Sequence, residues 1–296
     1  MRLRNRTLVL VTVAALLLIL PPAYLLMAER AAPADPVQIL VKYLKASYAR
    51  DYKEAYHFIS SEDQRLKDEK SYIRERGSFT GFTLDVARKL ADIIEAAPVE
   101  KKMTGSRAHI NLKLRLPDAN RLSAHLMNWD EERLNTLTPK EQMVLIRKID
   151  QWSKEGELAT IEGEQGFDLI KEKGGWRVFL NWAAGTQVMF HAQVAQSLPL
   201  EVMWDQREVI SQPGELFNVH FRIKNSSDRE IFTKIPHRVE PKELAEYLEL
   251  VECGLFSPMR LLPREEQEYS STYLLRADLP DGIKHLAVTY EFADVR

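Results

Sequence analysis

The chain is 296 residues long, 45% hydrophobic and 28% charged, with a formal net charge of -2 at pH 7. That mixture is too apolar for a disordered chain and long enough for two cores, so two folded domains are expected. A balance this near neutral gives no ground for nucleic-acid binding, and a single cysteine excludes an internal disulfide or a Cys-x-x-Cys zinc or redox pair.

Arg2, Arg4 and Arg6 precede an uncharged run from Thr7 to Ala28. At about 1.5 Å per helical residue this run is long enough to cross a bilayer core of about 30 Å. It reads as a spanning helix (1-30), and the arginines before it place the N-terminus in the cytoplasm. The expected protein is single-pass in the inner (cytoplasmic) membrane, with its domains in the periplasm or outside. A cleaved signal peptide is the other reading, drawn from the small residues of Ala28 to Ala34 and from Pro21-Pro22. The run continues through Tyr24 and Met27, longer than a usual signal core.

After a small, proline-bearing linker (Ala31 to Pro36), Val37, Leu40, Val41, Leu44 and Tyr48 recur at helical spacing. Tyr52, Ala55, Tyr56 and Ile59 continue it, and Ser60-Ser61-Glu62-Asp63 opens another helix. Beyond Gly77 and Gly81 the period changes. Ala108, Ile110, Leu112, Leu114 and Leu116 alternate with polar residues as in a half-buried strand. Asp118 to Lys154 returns to helical character, an insertion between strands. Ala159 to Lys171 and Trp176 to Trp182 read as a hairpin across Gly174-Gly175.

Helices first, then a curved antiparallel sheet closing on Gly-Gly-Trp-Arg-Val-Phe, resembles the cone-shaped nuclear-transport-factor-2-like α+β domains over residues 34-192. The resemblance implies a pocket that serves catalysis in some relatives and docking in others. His57, Tyr56, His109 and Asp85 are the residues that could line it. They form no catalytic constellation in sequence, and no enzyme is expected.

From Leu198 the pattern is all-β. Arg207 to Ser211 is a short strand and Gln212-Pro213-Gly214-Glu215 a turn. Phe217, Val219, Phe221 and Ile223 then alternate with polar residues. Leu248 to Cys253, Tyr269 to Arg276 and His285 to Phe292 supply further strands, spaced as in an immunoglobulin-like β-sandwich over 196-296. Within it the succession Leu198-Pro-Leu-Glu, Gln206-Arg-Glu-Val, Pro213-Gly-Glu, Lys224-Asn-Ser-Ser-Asp228, Val239-Glu-Pro-Lys-Glu-Leu-Ala245, Tyr247-Leu, Val251-Glu-Cys253, Leu262-Pro-Arg-Glu-Glu266 and Val288-Thr-Tyr-Glu-Phe292 resembles the cytochrome c oxidase copper-assembly family over about 196-292.

That resemblance implies one membrane span, a Cu(I)-binding β domain outside the cytoplasm, and a heme-copper oxidase or other membrane complex as partner. In the family a Cys-Phe-Cys segment binds Cu(I). Here it reads Cys253-Gly254-Leu255-Phe256, so Cys253 matches the first cysteine and Leu255 replaces the second. The cysteine that follows the family's span is also missing, with Met27 nearby. Cu(I) prefers thiolate and thioether, about two or three of them. The expected metal residues are therefore Cys253 and, more weakly, Met259, with His220, His237 or a second copy's Cys253 across a homodimer as the remaining sources. The resulting expectation is an anchored, Cu(I)-metallochaperone-like assembly factor for a copper-containing respiratory oxidase, with a degenerate site. The alternative is a docking or accessory subunit that binds no metal.

Overall fold

A computed structural model describes residues 35-118, 121, 131-253 and 259-294. The expected anchor of residues 1-30 lies outside them, as do Met27, Gly254, Leu255 and Phe256. Among the described residues no helix is long and apolar enough to cross a membrane.

The described chain opens with five helices: α1 (Pro36–Tyr48), α2 (Tyr52–Tyr56), α3 (Ser61–Gln64), α4 (Glu69–Arg76) and α5 (Gly81–Ala91). Asp35 caps α1 by accepting a hydrogen bond from the Val37 amide, and Pro36 at the first helical position has no amide left unsatisfied. Strands β1 (Glu95–Thr104) and β2 (Arg107–Pro117) follow, then α6 (Glu131–Asn135) and α7 (Pro139–Glu155), then β3 (Thr160–Glu172) and β4 (Gly175–Phe179). Thr138 and Glu141 form a reciprocal capping box at the start of α7, and Gly156 ends it with φ of 70°. β1 to β4 form one antiparallel sheet in sequence order. Leu40 of α1 packs on its inner face against Ile110, Leu112, Leu114, Trp176 and Val178. The expected alternation in β2, the hairpin across Gly174-Gly175 and the helical insertion before β3 are all present.

The second part is a two-layer β structure. Its strands are β5 (Thr186–Val194), β6 (Leu200–Trp204), β7 (Glu208–Ser211), β8 (Leu216–Asn225), β9 (Ile231–Lys234), β10 (His237–Glu240), β11 (Leu248–Cys253), β12 (Met259–Leu261), β13 (Glu266–Leu275) and β14 (His285–Asp294). One sheet runs β12-β9-β14-β5-β7, with β10 also on β14; the other runs β11-β13-β8-β6. Between them lies one core that includes Phe190, Phe217, Phe221, Ile223, Tyr273, Leu275, Val288, Tyr290 and Phe292. Burying each such side chain contributes about 1.5–3 kcal/mol.

β5 crosses the boundary that the sequence pattern suggests near 192-196. It pairs in parallel with β14, from Gln187 opposite His285 to Val194 opposite Phe292. This places Thr186 to Val194 in the sheet-rich C-terminal part, because its partner strand lies about a hundred residues further on, where no local pattern reveals it.

The two parts are joined by buried polar contacts. Lys67 and Glu75 form an ion pair with side chains 4% and 2% exposed. Lys67 Nζ also donates to the Ile210 carbonyl at 2.6 Å, and Gln206 Nε2 donates to Glu75 Oε1 at 2.7 Å. Burial pulls the Lys67 ammonium below its ordinary pKa and pushes the Glu75 carboxyl above its own. Arg76 pairs with Glu215 and donates to the Leu216 carbonyl. Gly77, at φ of 68°, lets the end of α4 approach β8 so closely that an added Cβ would lie 2.9 Å from both Arg50 Nη2 and Asn218 Nδ2.

Candidate functional site

Cys253 is the last described residue of β11, and the strand's geometry aims it. Leu248, Glu249 and Leu250 stand opposite Leu275, Leu274 and Tyr273 of β13. The register then slips at Val251, so that Glu252 faces Thr272 and Cys253 faces Ser271. A straight strand with Leu248 and Leu250 inward would turn Cys253 outward. The bulge returns it to the core side and leaves Glu252 exposed.

The thiol is half-buried and accepts a hydrogen bond from Ser271 Oγ at 3.4 Å. Ser271 Oγ in turn accepts from the Tyr290 hydroxyl at 2.9 Å, and the Tyr290 and Tyr273 hydroxyls lie 2.7 Å apart. Each hydroxyl has one proton, so with Ser271 donating to sulfur and Tyr290 donating to Ser271, Tyr273 must donate to Tyr290. The chain crosses the sandwich, from β13 to β14 and back, with every donor directed towards Cys253. Burial pushes the Tyr290 phenol up to about 12 and Tyr273 higher still, so both stay protonated donors at neutral pH. The His237 ring lies 6.2 Å from the Tyr290 ring and 6.4 Å from that of Tyr273. Desolvation lowers its pKa, although the residue as a whole is exposed.

The other expected metal residues are not gathered around the thiol in one complete set. Met259 is 6% exposed, packs in the core between the sheets, and sits on β12 opposite Thr233 of β9, in the sheet that does not contain β11. His220 is opposite Ser270 on β8. Its neighbour Val219 is the inward residue level with Ser271 and Cys253, so His220 faces the other way. Among the described residues no group of three or more His, Cys, Asp or Glu is arranged to hold a metal.

The four residues proposed for a cone pocket are also dispersed. The Tyr56 hydroxyl donates to the Lys67 carbonyl, and His57 is exposed at the end of α2. His109 pairs with Asp168 at 2.8 Å on the solvated face of the sheet, and Asp85 lies near Arg88 on α5. Two clefts, of about 670 and 660 Å³, are lined by other residues. The first involves Lys42, Asp51 and Arg88; the second lies where the two parts meet and reaches Glu252.

Sequence reasoning missed Ser271, Tyr273, Tyr290 and the bulge at Val251. The available signal was the pair Ser271 and Tyr273, two polar side chains two apart on the inward face of a strand.

Residues 169–294 match the family model described as "Cytochrome c oxidase assembly protein CtaG/Cox11". "Cytochrome c oxidase assembly protein COX11, mitochondrial" of Saccharomyces cerevisiae is 29% identical over 92 residues, 31% of this chain and 31% of that protein. "Cytochrome c oxidase assembly protein CtaG" of Rhizobium meliloti is 29% identical over 111 residues, 36% of this chain and 56% of that protein. The Homo sapiens protein with the same name as the yeast one is 30% identical over 80 residues, 27% of this chain and 29% of that protein. The chain thus spans between about a third and just over half of the length of these relatives. The family match starts upstream of the resemblance read from sequence and includes β5, as the pairing of β5 with β14 requires. By family model and by relatives alike, the C-terminal part of this chain is similar to the CtaG/Cox11 cytochrome c oxidase assembly proteins.

Proposed function

We propose that this protein is a membrane-anchored assembly factor for a copper-containing respiratory oxidase, acting outside the cytoplasm and presenting the Cys253 thiol to its client. The observation that carries the reading is the position of Cys253. It ends a bulged strand that turns it inward, where it receives the hydrogen bond of Ser271 at the end of a chain of hydroxyls, in a domain similar to oxidase assembly proteins. The sulfur is a soft donor of the kind that soft metal ions prefer. We read residues 35-180 as a cone of nuclear-transport-factor-2 type, fixed to the sandwich as a spacer and docking body rather than as an enzyme.

Cu(I) is the cargo this reading implies, and the described residues of one chain do not gather a complete set of ligands for it around Cys253. Cys253 offers one soft donor, while Met259 is packed in the core on the opposite sheet. Two copies sharing a Cu(I) ion through their two Cys253 thiolates would supply the number such an ion needs. The second reading, a docking subunit that carries no metal, is favoured by the same burial of Met259. Anaerobic Cu(I) titration of the full chain in detergent, with molecular mass measured in the same samples, separates them. About one copper per two chains, with a dimer abolished by Cys253→Ser, is the expected result. A monomer with no binding beyond that of an exposed thiol would leave the docking reading.

A further inference from the structure

The rim of the sandwich beside Cys253 is an open strand edge. β11 is the terminal strand of its sheet: one side pairs with β13, and no described strand lies on the other. Apart from that ladder, no backbone hydrogen bond among the described residues involves residues 249-253. An edge of this kind is a template for an added strand.

The local backbone gives that edge one charge. Glutamate recurs at every third position in Glu243, Glu246, Glu249 and Glu252, and all four are exposed. Lys242–Tyr247 is a 3-10 helix with three residues per turn, so Glu243 and Glu246 stack on one face. In β11 the bulge at Val251 points Glu249 and Glu252 the same way, whereas a straight strand would set them on opposite faces. None of the four is in an ion pair among the described residues. The nearby cation Arg276 is bonded to Asp278 at 2.7 and 2.9 Å and also lies within electrostatic reach of Glu246 and Glu249, so it offsets only part of the charge of the four. Val251, 53% exposed, lies between the two strand glutamates and offers an apolar contact.

We propose that β11 is a docking edge for an extended segment of a partner protein that carries lysine or arginine. The segment adds as a strand beside Cys253, pairs its backbone with β11, and sets its cations on Glu249 and Glu252. The choice of occupant follows from charge complementarity. A second copy pairing at the same edge would bring its own glutamates against these. The inference goes beyond the assembly-factor reading and does not rest on metal at Cys253.

The test uses the full, metal-free chain in detergent and a short fluorescent peptide of alternating lysine and valine, with binding followed by anisotropy. Saturable, salt-sensitive binding is expected. It weakens about tenfold or more in Glu249→Gln/Glu252→Gln and when the peptide amides on its pairing side are N-methylated. Absence of binding, or binding indifferent to both changes, overturns the proposal. Because the N-methylated peptide is compared on the unaltered chain, the test stands even if the double variant folds poorly. Self-association of the metal-free chain that Glu249→Lys changes would assign the edge to a second copy and also overturn it. Failure here leaves the copper titration of the assembly reading untouched.

Discussion

Cys253 stands directly opposite Ser271 across the β11 and β13 ladder, and the Ser271 hydroxyl donates to its sulfur at 3.4 Å. The pairing exists only because Val251 is bulged out of the ladder. Deleting Val251 removes the extra residue and leaves Cys253 two places after Leu250 on the inward face, so alkylation of the thiol by iodoacetamide should stay within about twofold of the parent rate. Deleting Val251 and Glu252 together sets Cys253 on the outward face and should speed it by about tenfold or more. An unchanged rate in the double deletion, in a protein that still melts cooperatively, would show that the strand register does not set the orientation of the thiol.

Ser271 is the link between the thiol and the buried tyrosines. Ser271→Ala leaves the Tyr290 hydroxyl without its acceptor in a site 1% exposed. The cost in urea denaturation should be about 1–3 kcal/mol. Adding Tyr290→Phe removes the stranded donor, so the double variant should lose less than the sum of the singles. Strict additivity of the two substitutions would argue against a connected chain.

His237 gives a pH dependence of known sign. Its folded-state pKa lies below the ordinary 6.5 because its ring is desolvated against Tyr273 and Tyr290. The unfolded chain therefore binds more protons in the window just below 6.5. The contribution is present above that value and is lost as the pH falls through the lowered folded pKa. The residue is exposed overall, so the slope is small. His237→Gln should flatten the dependence of Tm on pH between about 7 and 5. A slope identical to that of the parent chain would contradict the assignment.

The buried pair Lys67 and Glu75 holds the helical part to the sandwich. Lys67→Met leaves Glu75 buried without its cation and should cost about 3–5 kcal/mol, whereas Lys67→Met/Glu75→Leu should recover most of the loss. Urea denaturation followed by tryptophan fluorescence measures both. A neutral single variant would mean that the joint is not held by this pair.

What the sequence displays follows from how each strand meets solvent. β2 and β8 have one buried and one wet face, and their alternation is plain. β1 holds Pro98, four charged residues and mostly exposed side chains, so no hydrophobic period marks it. α5 begins on Gly81 at φ of 56° and lacks a side-chain cap from Thr80, which hides its start. β9, β10 and β12 are three or four residues long, too short for a period to register. At the site, Cys253 and its departure from the family's Cys-Phe-Cys are visible in the sequence. Its orientation is not, because a one-residue bulge reverses every inference drawn from a period of two. The burial of Met259 depends on β12 joining β9, a pairing between distant strands.

The most direct test of the assembly role is the copper content and activity of the respiratory oxidase in membranes of the source organism lacking this gene. The account predicts that both fall, are restored by the full chain, and are not restored by Cys253→Ser, with heme and subunit levels measured alongside. An oxidase that keeps its copper and its activity without this protein would contradict it.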